Sequence, residues 1–240
     1  MILTGDIGGT KTLLALHDDD GRLLDRRRFA SRESPTFDEL VGRYLGDTGA
    51  APRLACFGVA GPVLGERVQV TSLPWVIDAA ALAERFALRR VDLLNDFAAA
   101  AYGIDLLAPS DLVTLQAGEP LPGRAVVVIG AGTGLGAAYR LGGAVISGEA
   151  GHMSFAPADE MQAELARWLQ SRFGRVEVEH VVSGAGLARA YDFLAERAGV
   201  ATADGRPARE RAAEIGGRAL QGDDPLALAA LDLFLACYGA

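Results

Sequence analysis

Two glycine turns carry the clearest chemical signal in this 240-residue sequence. One spans residues 5–12 and the other residues 130–136, and each contains a Gly-Thr pair. Glycine lets backbone N–H groups approach an anion closely because no Cβ intervenes, and the hydroxyls of Thr10 and Thr133 add further donors. Two facing hairpins of this kind can hold a polyphosphate from both sides, although either one alone could be an ordinary glycine-rich hairpin.

Two other phosphate-binding motifs fit these turns poorly. A P-loop needs a second glycine where Thr10 stands, and it precedes a helix, whereas strand-like residues follow Lys11. The spacing from Gly132 through Gly134 to Ala137 matches a dinucleotide fingerprint nominally. The apolar stretch after it is too short for the crossover helix that this fingerprint requires, because a pair of glycines at 142–143 interrupts it.

Acidic residues lie where they could support phosphoryl transfer. Asp6 stands in the first turn, and a carboxylate beside phosphates indicates an intervening Mg²⁺, unless it forms a simple Asx turn. Asn95 and Asp96 end an apolar strand, the place where α/β proteins bind ligands. Asp96 is suited to accept a hydroxyl proton as a general base, and a helix N-cap is its structural alternative.

A third group of polar residues could bind a polyhydroxylated ligand. Glu149 and His152 converge if the glycine-containing segment between them turns, and Glu179 and His180 follow later in the chain. Carboxylates and imidazole supply directional acceptors and a donor for vicinal hydroxyls. The structural alternatives are complementation of a helix dipole for Glu179 and a structural hydrogen bond for His180.

The composition excludes several classes of protein. Half of the residues are apolar and 22% are charged, which indicates a globular protein, and the net charge of −8 argues against a nucleic-acid or anionic-membrane surface. Cys56 and Cys237 form neither a disulfide framework nor a zinc cluster. We expect a cytoplasmic protein, because the sequence shows no secretory signal and no apolar run of about 20 residues.

The chain contains a loose internal repeat. Each half begins with a strand, a glycine-threonine turn, a second strand, another turn and a third strand. We predict a small N-terminal domain over residues 1–106 and a larger domain over 107–240, with the hinge near residues 103–120. The last segment, 225–240, is apolar almost all round, so we expect a core helix and a truncated second domain.

The motifs together resemble the bacterial glucokinase family. The matching stretches are Gly-Asp-Ile-Gly-Gly-Thr at 5–10, Gly-Val-Ala-Gly-Pro-Val at 58–63, Leu-Leu-Asn-Asp-Phe at 93–97, Gly-Ala-Gly-Thr-Gly-Leu-Gly at 130–136, Gly-Glu-Ala-Gly-His at 148–152 and Val-Ser-Gly-Ala-Gly-Leu at 182–187. The resemblance implies an α/β, actin-like fold of two ribonuclease-H-like domains around a cleft, the second incomplete. It also implies ATP-dependent phosphorylation of glucose at its 6-hydroxyl, the first step of glycolysis.

The resemblance also assigns roles to individual residues. Asp96 would be the general base, and Asp6 would organise Mg²⁺ directly or through water. The sugar hydroxyls would be bound by Asn95, Glu149, His152 and Glu179. The ATP phosphates would be held by Gly8, Gly9, Thr10, Lys11, Gly132 and Thr133.

This sequence departs from the family pattern at three places. Lys11 replaces the usual asparagine, Ser72 replaces an asparagine that contacts sugar, and the adenine-binding segment would lie beyond residue 240. The hexose specificity and the oligomeric state stay open, with a homodimer as one option. The alternatives are a non-catalytic sugar-binding module on the same fold, a kinase for another hexose, and a nicotinamide enzyme using Gly132 and Gly134.

Overall fold

The computed structural model describes residues 1–71, 73–119, 121–201 and 205–240. Ser72 and Pro120, which belong to the sugar-contact and hinge predictions, lie outside these residues. The chain forms two compact units, the first comprising 1–126 with 139–147 and the second comprising 127–138 with 148–240. The domain boundary after residue 106 stays a prediction.

Strands and helices alternate through the first half of the chain, and helices dominate the end. The strands are β1 (Ile2–Ile7), β2 (Lys11–His17), β3 (Leu23–Ala30), β4 (Leu54–Val59), β5 (Val63–Leu64), β6 (Arg67–Gln69), β7 (Val76–Asp78), β8 (Arg90–Asn95), β9 (Val126–Ala131), β10 (Leu135–Leu141) and β11 (Ala144–Gly148). The helices are α1 (Phe37–Thr48), α2 (Ala79–Arg85), α3 (Asp96–Gly103), α4 (Glu160–Phe173), α5 (Val178–Val181), α6 (Gly184–Arg197), α7 (Ala208–Gln221) and α8 (Pro225–Tyr238).

The first unit is built on a five-stranded sheet in the order β3-β2-β1-β4-β8. Antiparallel pairing joins β1 to β2 and β2 to β3, whereas β4 runs parallel to both β1 and β8. Ile7, Val59 and Asn95 lie side by side in the register of these parallel strands. The carboxyl ends of β1, β4 and β8 therefore meet at one edge of the sheet.

Helix α1 covers one face of this sheet. It begins after Thr36, whose hydroxyl accepts a hydrogen bond from the backbone N–H of Glu39, and it ends at Gly49 in the left-handed conformation. The side chains that it buries against the sheet are Phe37, Leu40, Val41 and Tyr44. This apolar stripe of α1 packs on one face of the sheet, and α3 packs on the opposite face.

The second unit has a mainly helical core. Strands β9 to β11 form a three-stranded sheet in the order β11-β10-β9, of which residues 127–138 belong to this unit, and helices α4 to α8 follow in sequence. Helix α6 packs against α7 and α8, and α6 places Leu187 and Phe193 in the core. In the described part of the chain, no helix is long and apolar enough to cross a bilayer.

Two features of the fold differ from the sequence-based expectation. Strands β5, β6 and β7 form a small antiparallel sheet, and their lengths of two or three residues are too short to produce a periodic pattern. Helix α8 is not buried all round: Ala227 and Ala230 are buried, whereas Leu228 and Leu235 are about half exposed.

Candidate active site

The first glycine turn is a tight turn anchored from below by a buried serine. The backbone N–H of Gly8 donates to the carbonyl of Lys11 at 3.0 Å, which closes the turn between β1 and β2. Ser31 donates from its backbone N–H to the carbonyl of Thr10 at 3.1 Å and from Oγ to the carbonyl of Gly8 at 2.8 Å. Because that hydroxyl proton is used, Thr12 Oγ1 must donate to Ser31 Oγ, which lies 2.9 Å away.

The outer surface of this turn is accessible to a ligand. Thr10 and Lys11 are exposed, so the turn presents a hydroxyl and an ammonium group to solvent. Lys11 lines a groove on the sheet surface with Leu13, Arg26 and Arg28. Asp6 pairs with Leu13 across β1 and β2, so Asp6 and Lys11 project from the same face of the sheet.

Asp96 lies at the start of α3, on the same face of the sheet as Asp6. Helix α3 can approach β4 closely because residue 58 is glycine: a Cβ there would lie 3.1 Å from the Cβ of Ala99 and 3.7 Å from the Cα of Asp96. One carboxylate oxygen of Asp96, Oδ1, accepts a hydrogen bond from the backbone N–H of Phe97 at 2.9 Å. The carboxylate is therefore held at the start of α3, with one oxygen fixed by the helix backbone.

The pKa of Asp96 is raised above the ordinary aspartate value. Partial burial of the carboxylate is the largest cause, and the negative charge of Asp6 adds to it. Hydrogen bonds from the backbone of Phe97 and from Asn95 act in the opposite direction. A carboxylate with a raised pKa accepts a proton more readily, which is what a general base requires.

Asn95 is the N-cap of α3. Its Oδ1 accepts from the backbone N–H groups of Phe97 and Ala98 at 3.0 and 3.2 Å, and its Nδ2 donates to the carbonyl of Gly61 at 3.4 Å. A hydrogen bond from Asn95 also stabilises the ionised carboxylate of Asp96 and so acts to lower its pKa. The structure thus gives Asn95 the helix-cap role, and its contact with sugar stays a prediction.

Asp6 is suited to hold a magnesium ion. Its side chain is exposed and forms no hydrogen bond or ion pair among the residues that the structure describes. Mg²⁺ near phosphates uses one or two carboxylates and several waters, which one free carboxylate satisfies. A cation at this point would also offset the repulsion between Asp6 and Asp96.

The second glycine turn lies in the second unit and is tied to α6. The backbone N–H of Gly132 donates to the carbonyl of Gly134 at 2.8 Å, and the N–H of Gly184 donates to the carbonyl of Gly132 at 2.8 Å. The side chain of Thr133 is exposed at the tip. Helix α6 therefore fixes a turn whose outer face is available to an anion.

Glu179 joins this turn to the residues expected to bind sugar. Its Oε2 lies beside two glycines: a Cβ on Gly134 would be 2.8 Å from this oxygen, and a Cβ on Gly151 would be 3.1 Å from it. The hydroxyl of Ser183 donates to the carbonyl of Glu179 at 2.7 Å, which ties the start of α6 to α5. Both glycines are needed to make room for the carboxylate.

His152 is the last residue of a single helical turn over Ala150–His152, and its N–H donates to the carbonyl of Glu149 at 3.1 Å. The imidazole does not bond to Glu149; its Nδ1 lies 2.8 Å from Oε2 of Glu177. That hydrogen bond is the largest cause of the raised pKa of His152. The carboxylate of Glu149 stays exposed.

His180 has the structural role that the sequence left open. Its Nδ1 accepts from the backbone N–H of Glu177 at 3.2 Å, and its ring stacks on Phe173 with 4.7 Å between centroids. The guanidinium of Arg189 lies 4.8 Å from the centroid of the Phe173 ring and donates to the carbonyl of His180 at 3.1 Å. Burial is the largest cause of the lowered pKa of His180, which keeps the ring neutral.

The predicted site residues thus form two groups. The first unit brings together the turn at 8–11 and, at the adjoining sheet edge, Asp6, Asn95 and Asp96; the second brings together the turn at 132–134, His152 and Glu179, with Glu149 just before His152. Sequence reasoning missed Ser31 and Glu177. The acidic pair in Glu177-Val178-Glu179 was a signal for the latter, whereas nothing in the sequence marks Ser31.

Comparisons with known proteins identify the family of this chain. The family model described as Glucokinase matches residues 3–240. A curated glucokinase of Nostoc sp. is 36% identical over 268 residues, with 100% of this chain and 78% of that protein covered.

Two solved glucokinases share the fold. The enzyme from an Antarctic psychrotroph is 31% identical with a TM-score of 0.79, with 99% of this chain and 76% of that chain covered. The enzyme from Balamuthia mandrillaris, solved in complex with glucose, is 25% identical with a TM-score of 0.73, with 97% and 72% covered. The α/β, actin-like fold is therefore confirmed, and the chain belongs to the glucokinase family, which phosphorylates glucose with ATP.

Proposed function

We propose that Asp96 is the general base that removes the proton of the glucose 6-hydroxyl as ATP transfers its terminal phosphoryl group. The observation that carries this role is a half-buried carboxylate at the end of β8, with one oxygen fixed by the N–H of Phe97 and a raised pKa. Phosphoryl transfer asks the protein mainly to position the reactants and to neutralise charge, and proton removal makes the sugar oxygen a better nucleophile.

Four polar residues would bind the sugar hydroxyls. The amide of Asn95 can donate, and the carboxylates of Glu149 and Glu179 can accept. His152 supplies its second ring nitrogen, because Nδ1 is already bonded to Glu177. Such a set of directional partners favours a ligand with several adjacent hydroxyls over a simple alcohol.

The phosphates would be bound by the two glycine turns. The turns comprise Gly8, Gly9, Thr10, Gly132 and Thr133, and Lys11 adds a positive charge beside the first turn. The N–H groups of Gly8 and Gly132 already donate within their own turns, so the phosphates would be bound mainly by the N–H of Gly9 and the exposed hydroxyls of Thr10 and Thr133. Asp6 would hold Mg²⁺ directly or through water, and the ion would neutralise phosphate charge during transfer.

Further proposals concern the surroundings of the enzyme. A net charge of −8 supports an enzyme that binds neither nucleic acid nor an anionic membrane surface. We further propose that the protein is cytoplasmic and forms a homodimer. Zonal sedimentation of the purified protein at several concentrations would test the dimer.

The catalytic proposal is tested by measuring ADP release with glucose, mannose, fructose and N-acetylglucosamine in the presence of Mg²⁺. We expect glucose to give the highest kcat/KM. Asp96→Asn should lower kcat roughly 10²- to 10⁴-fold. Glucose binding by calorimetry should persist, because asparagine still accepts from Phe97.

Asp20→Asn is the matched control, because Asp20 is exposed in the turn between β2 and β3. This substitution should leave kcat and the glucose affinity unchanged. If Asp96→Asn retained the wild-type kcat, the assignment of the base would be wrong. Glucose binding without ADP release by the unaltered chain would instead favour a sugar-binding module.

A further inference from the structure

We propose that Glu177 is a positioning residue for glucose binding, which holds the imidazole of His152 so that its Nε2 faces a sugar hydroxyl. The inference rests on the proposed role of His152 as a sugar ligand. The two side chains meet at 2.8 Å between Glu177 Oε2 and His152 Nδ1.

The chemistry of this contact fixes which ring nitrogen carries the proton. An ionised carboxylate can only accept a hydrogen bond, so Nδ1 of His152 must be the donor. Nε2 is then left for a ligand, as an acceptor when the ring is neutral and as a donor when it is protonated. The histidine side chain is 58% exposed and that of Glu177 is 22% exposed, so the ring is accessible and its partner is sheltered.

The backbone holds Glu177 next to this histidine. Phe155 N–H donates to the carbonyl of Val176 at 3.0 Å, and Val178 N–H donates to the carbonyl of Met153 at 2.9 Å. These two bonds pair the segment immediately after the histidine with the segment that contains Glu177. The carboxylate therefore lies beside the ring before any ligand arrives.

Arg175 completes the arrangement. Its Nη2 donates to the backbone carbonyl of His152 at 2.6 Å, and its Nη1 lies 3.7 Å from Oε1 of Glu177. One carboxylate oxygen thus faces the arginine and the other bonds to the imidazole. The hydrogen bond with His152 is also the largest cause of the lowered pKa of Glu177, which keeps the carboxylate ionised.

Several charged groups surround His152, and Glu177 has the strongest effect on it. The others are Glu179 on α5, Glu149 just before the ring's own turn, Arg175, and His180, which is held neutral. The Glu177 hydrogen bond raises the pKa of His152 most, whereas partial burial lowers it. Loss of the Glu177 carboxylate should therefore lower the pKa of His152 and release the ring.

The experiment compares Glu177→Gln and Glu177→Ala with the unaltered enzyme. Glutamine keeps an acceptor of the same length without the charge, and alanine removes the contact. We expect Glu177→Ala to raise the glucose KM about 3- to 10-fold, with Glu177→Gln in between and kcat at saturating glucose within about twofold. The NMR titration midpoint of His152 should fall in both variants.

Two further variants distinguish loss of the positioning contact from a general loss of structure. In a His152→Asn background, Glu177→Ala should add no further rise in KM, because the group that it positions is already gone. Glu210→Gln, at an exposed glutamate in the first turn of α7, should change neither KM nor the titration of His152.

The possible failures are distinguishable. If His152→Asn leaves the glucose KM unchanged, the proposed sugar contact is wrong and the inference falls with it. If His152→Asn raises KM but Glu177→Ala does not, only the positioning role is overturned. An equal rise from Glu177→Ala in both backgrounds, or an unchanged His152 midpoint, would also overturn it.

Discussion

At the scale of single residues, Asp96 shows how a catalytic requirement opposes stability. Burial raises its pKa, and the charge of Asp6 raises it further. A carboxyl group with a higher pKa in the folded state than in the unfolded state binds its proton more tightly when folded. Its ionisation therefore reduces stability, beginning as the pH rises through the unfolded value of about 3.9 and fully above the folded pKa.

Because ionised Asp96 lowers the stability of the fold, Asp96→Asn should affect thermal unfolding in a pH-dependent way. At pH 7 the variant should unfold at a temperature equal to or above that of the unaltered protein, because the ionised carboxylate is gone. Below about pH 3.9, where Asp96 is protonated in both states, this difference should disappear. Calorimetric scans across pH would measure it, with Asp20→Asn showing no such trend; a variant clearly less stable at pH 7 would contradict the account.

Ser31 illustrates a residue that acts through another group. It is fully buried and bonds to the carbonyls of Gly8 and Thr10 and to the hydroxyl of Thr12. Its position in the sequence, after β3, gives no sign that it supports a turn more than 20 residues earlier. Contacts of this kind depend on tertiary pairing and could not be predicted from local pattern.

We predict that Ser31→Ala destabilises the protein by about 1–3 kcal/mol, because it removes hydrogen bonds from buried partners. The ATP KM should rise more than the glucose KM, since the first glycine turn loses its support. Steady-state kinetics and chemical denaturation would measure both effects. Ser110→Ala, at an exposed serine, is the control, and an unchanged ATP KM in Ser31→Ala would count against the support role.

At the scale of secondary-structure elements, glycines set how closely the site elements approach. The absence of a Cβ at Gly58 lets α3 pack closely on the sheet, and its absence at Gly134 and Gly151 leaves space for the carboxylate of Glu179. The sequence predicted the turns and most strands and helices, because Gly, Asp and apolar runs mark them locally. It did not predict that Gly134 contacts a side chain 45 residues later, since that depends on how α5 packs.

Gly134→Ala tests this packing. The new Cβ would lie 2.8 Å from Oε2 of Glu179, and the flexible carboxylate end should move away rather than the backbone. We expect the glucose KM to rise several-fold, about as much as loss of one hydrogen bond, with little change in the free energy of unfolding. Calorimetry with glucose and thermal unfolding would show this split.

The control for this substitution is Gly143→Ala, in the turn between β10 and β11. A Cβ at Gly143 would meet no atom within 4 Å, and the residue does not need a positive φ. It should therefore leave the glucose KM unchanged. If Gly134→Ala also left the glucose KM unchanged, the space beside Gly134 would not position the carboxylate of Glu179.

At the scale of the whole molecule, each compact unit has its own hydrophobic core and its own tryptophan. Trp75 is buried in the first unit, and Trp168 packs against the core of the second. The family motifs predicted an actin-like fold from the sequence, because their order along the chain is specific. The small sheet of β5 to β7 and the half-exposed α8 could not be predicted, since short strands and apolar helices depend on their neighbours.

Because the cores are separate, we predict that a destabilising substitution in one unit changes mainly the fluorescence of the tryptophan in that unit. Leu165 is 1% exposed in the second core, so Leu165→Ala should cost about 2–5 kcal/mol. In a Trp75→Phe background, fluorescence from Trp168 should report a thermal midpoint lowered by roughly 10 °C. A Trp168→Phe background should show a smaller change at Trp75, and an equal change would indicate a single cooperative unit.

The central claim is that Asp96 takes the proton of the sugar hydroxyl during phosphoryl transfer. It is tested most directly by the single-turnover rate of glucose 6-phosphate formation, measured by rapid quench with ATP, Mg²⁺ and saturating glucose. This rate reports the chemical step apart from product release. We predict that Asp96→Asn lowers it roughly 10²- to 10⁴-fold with an unchanged dependence on glucose concentration; a rate equal to that of the unaltered enzyme would contradict the claim.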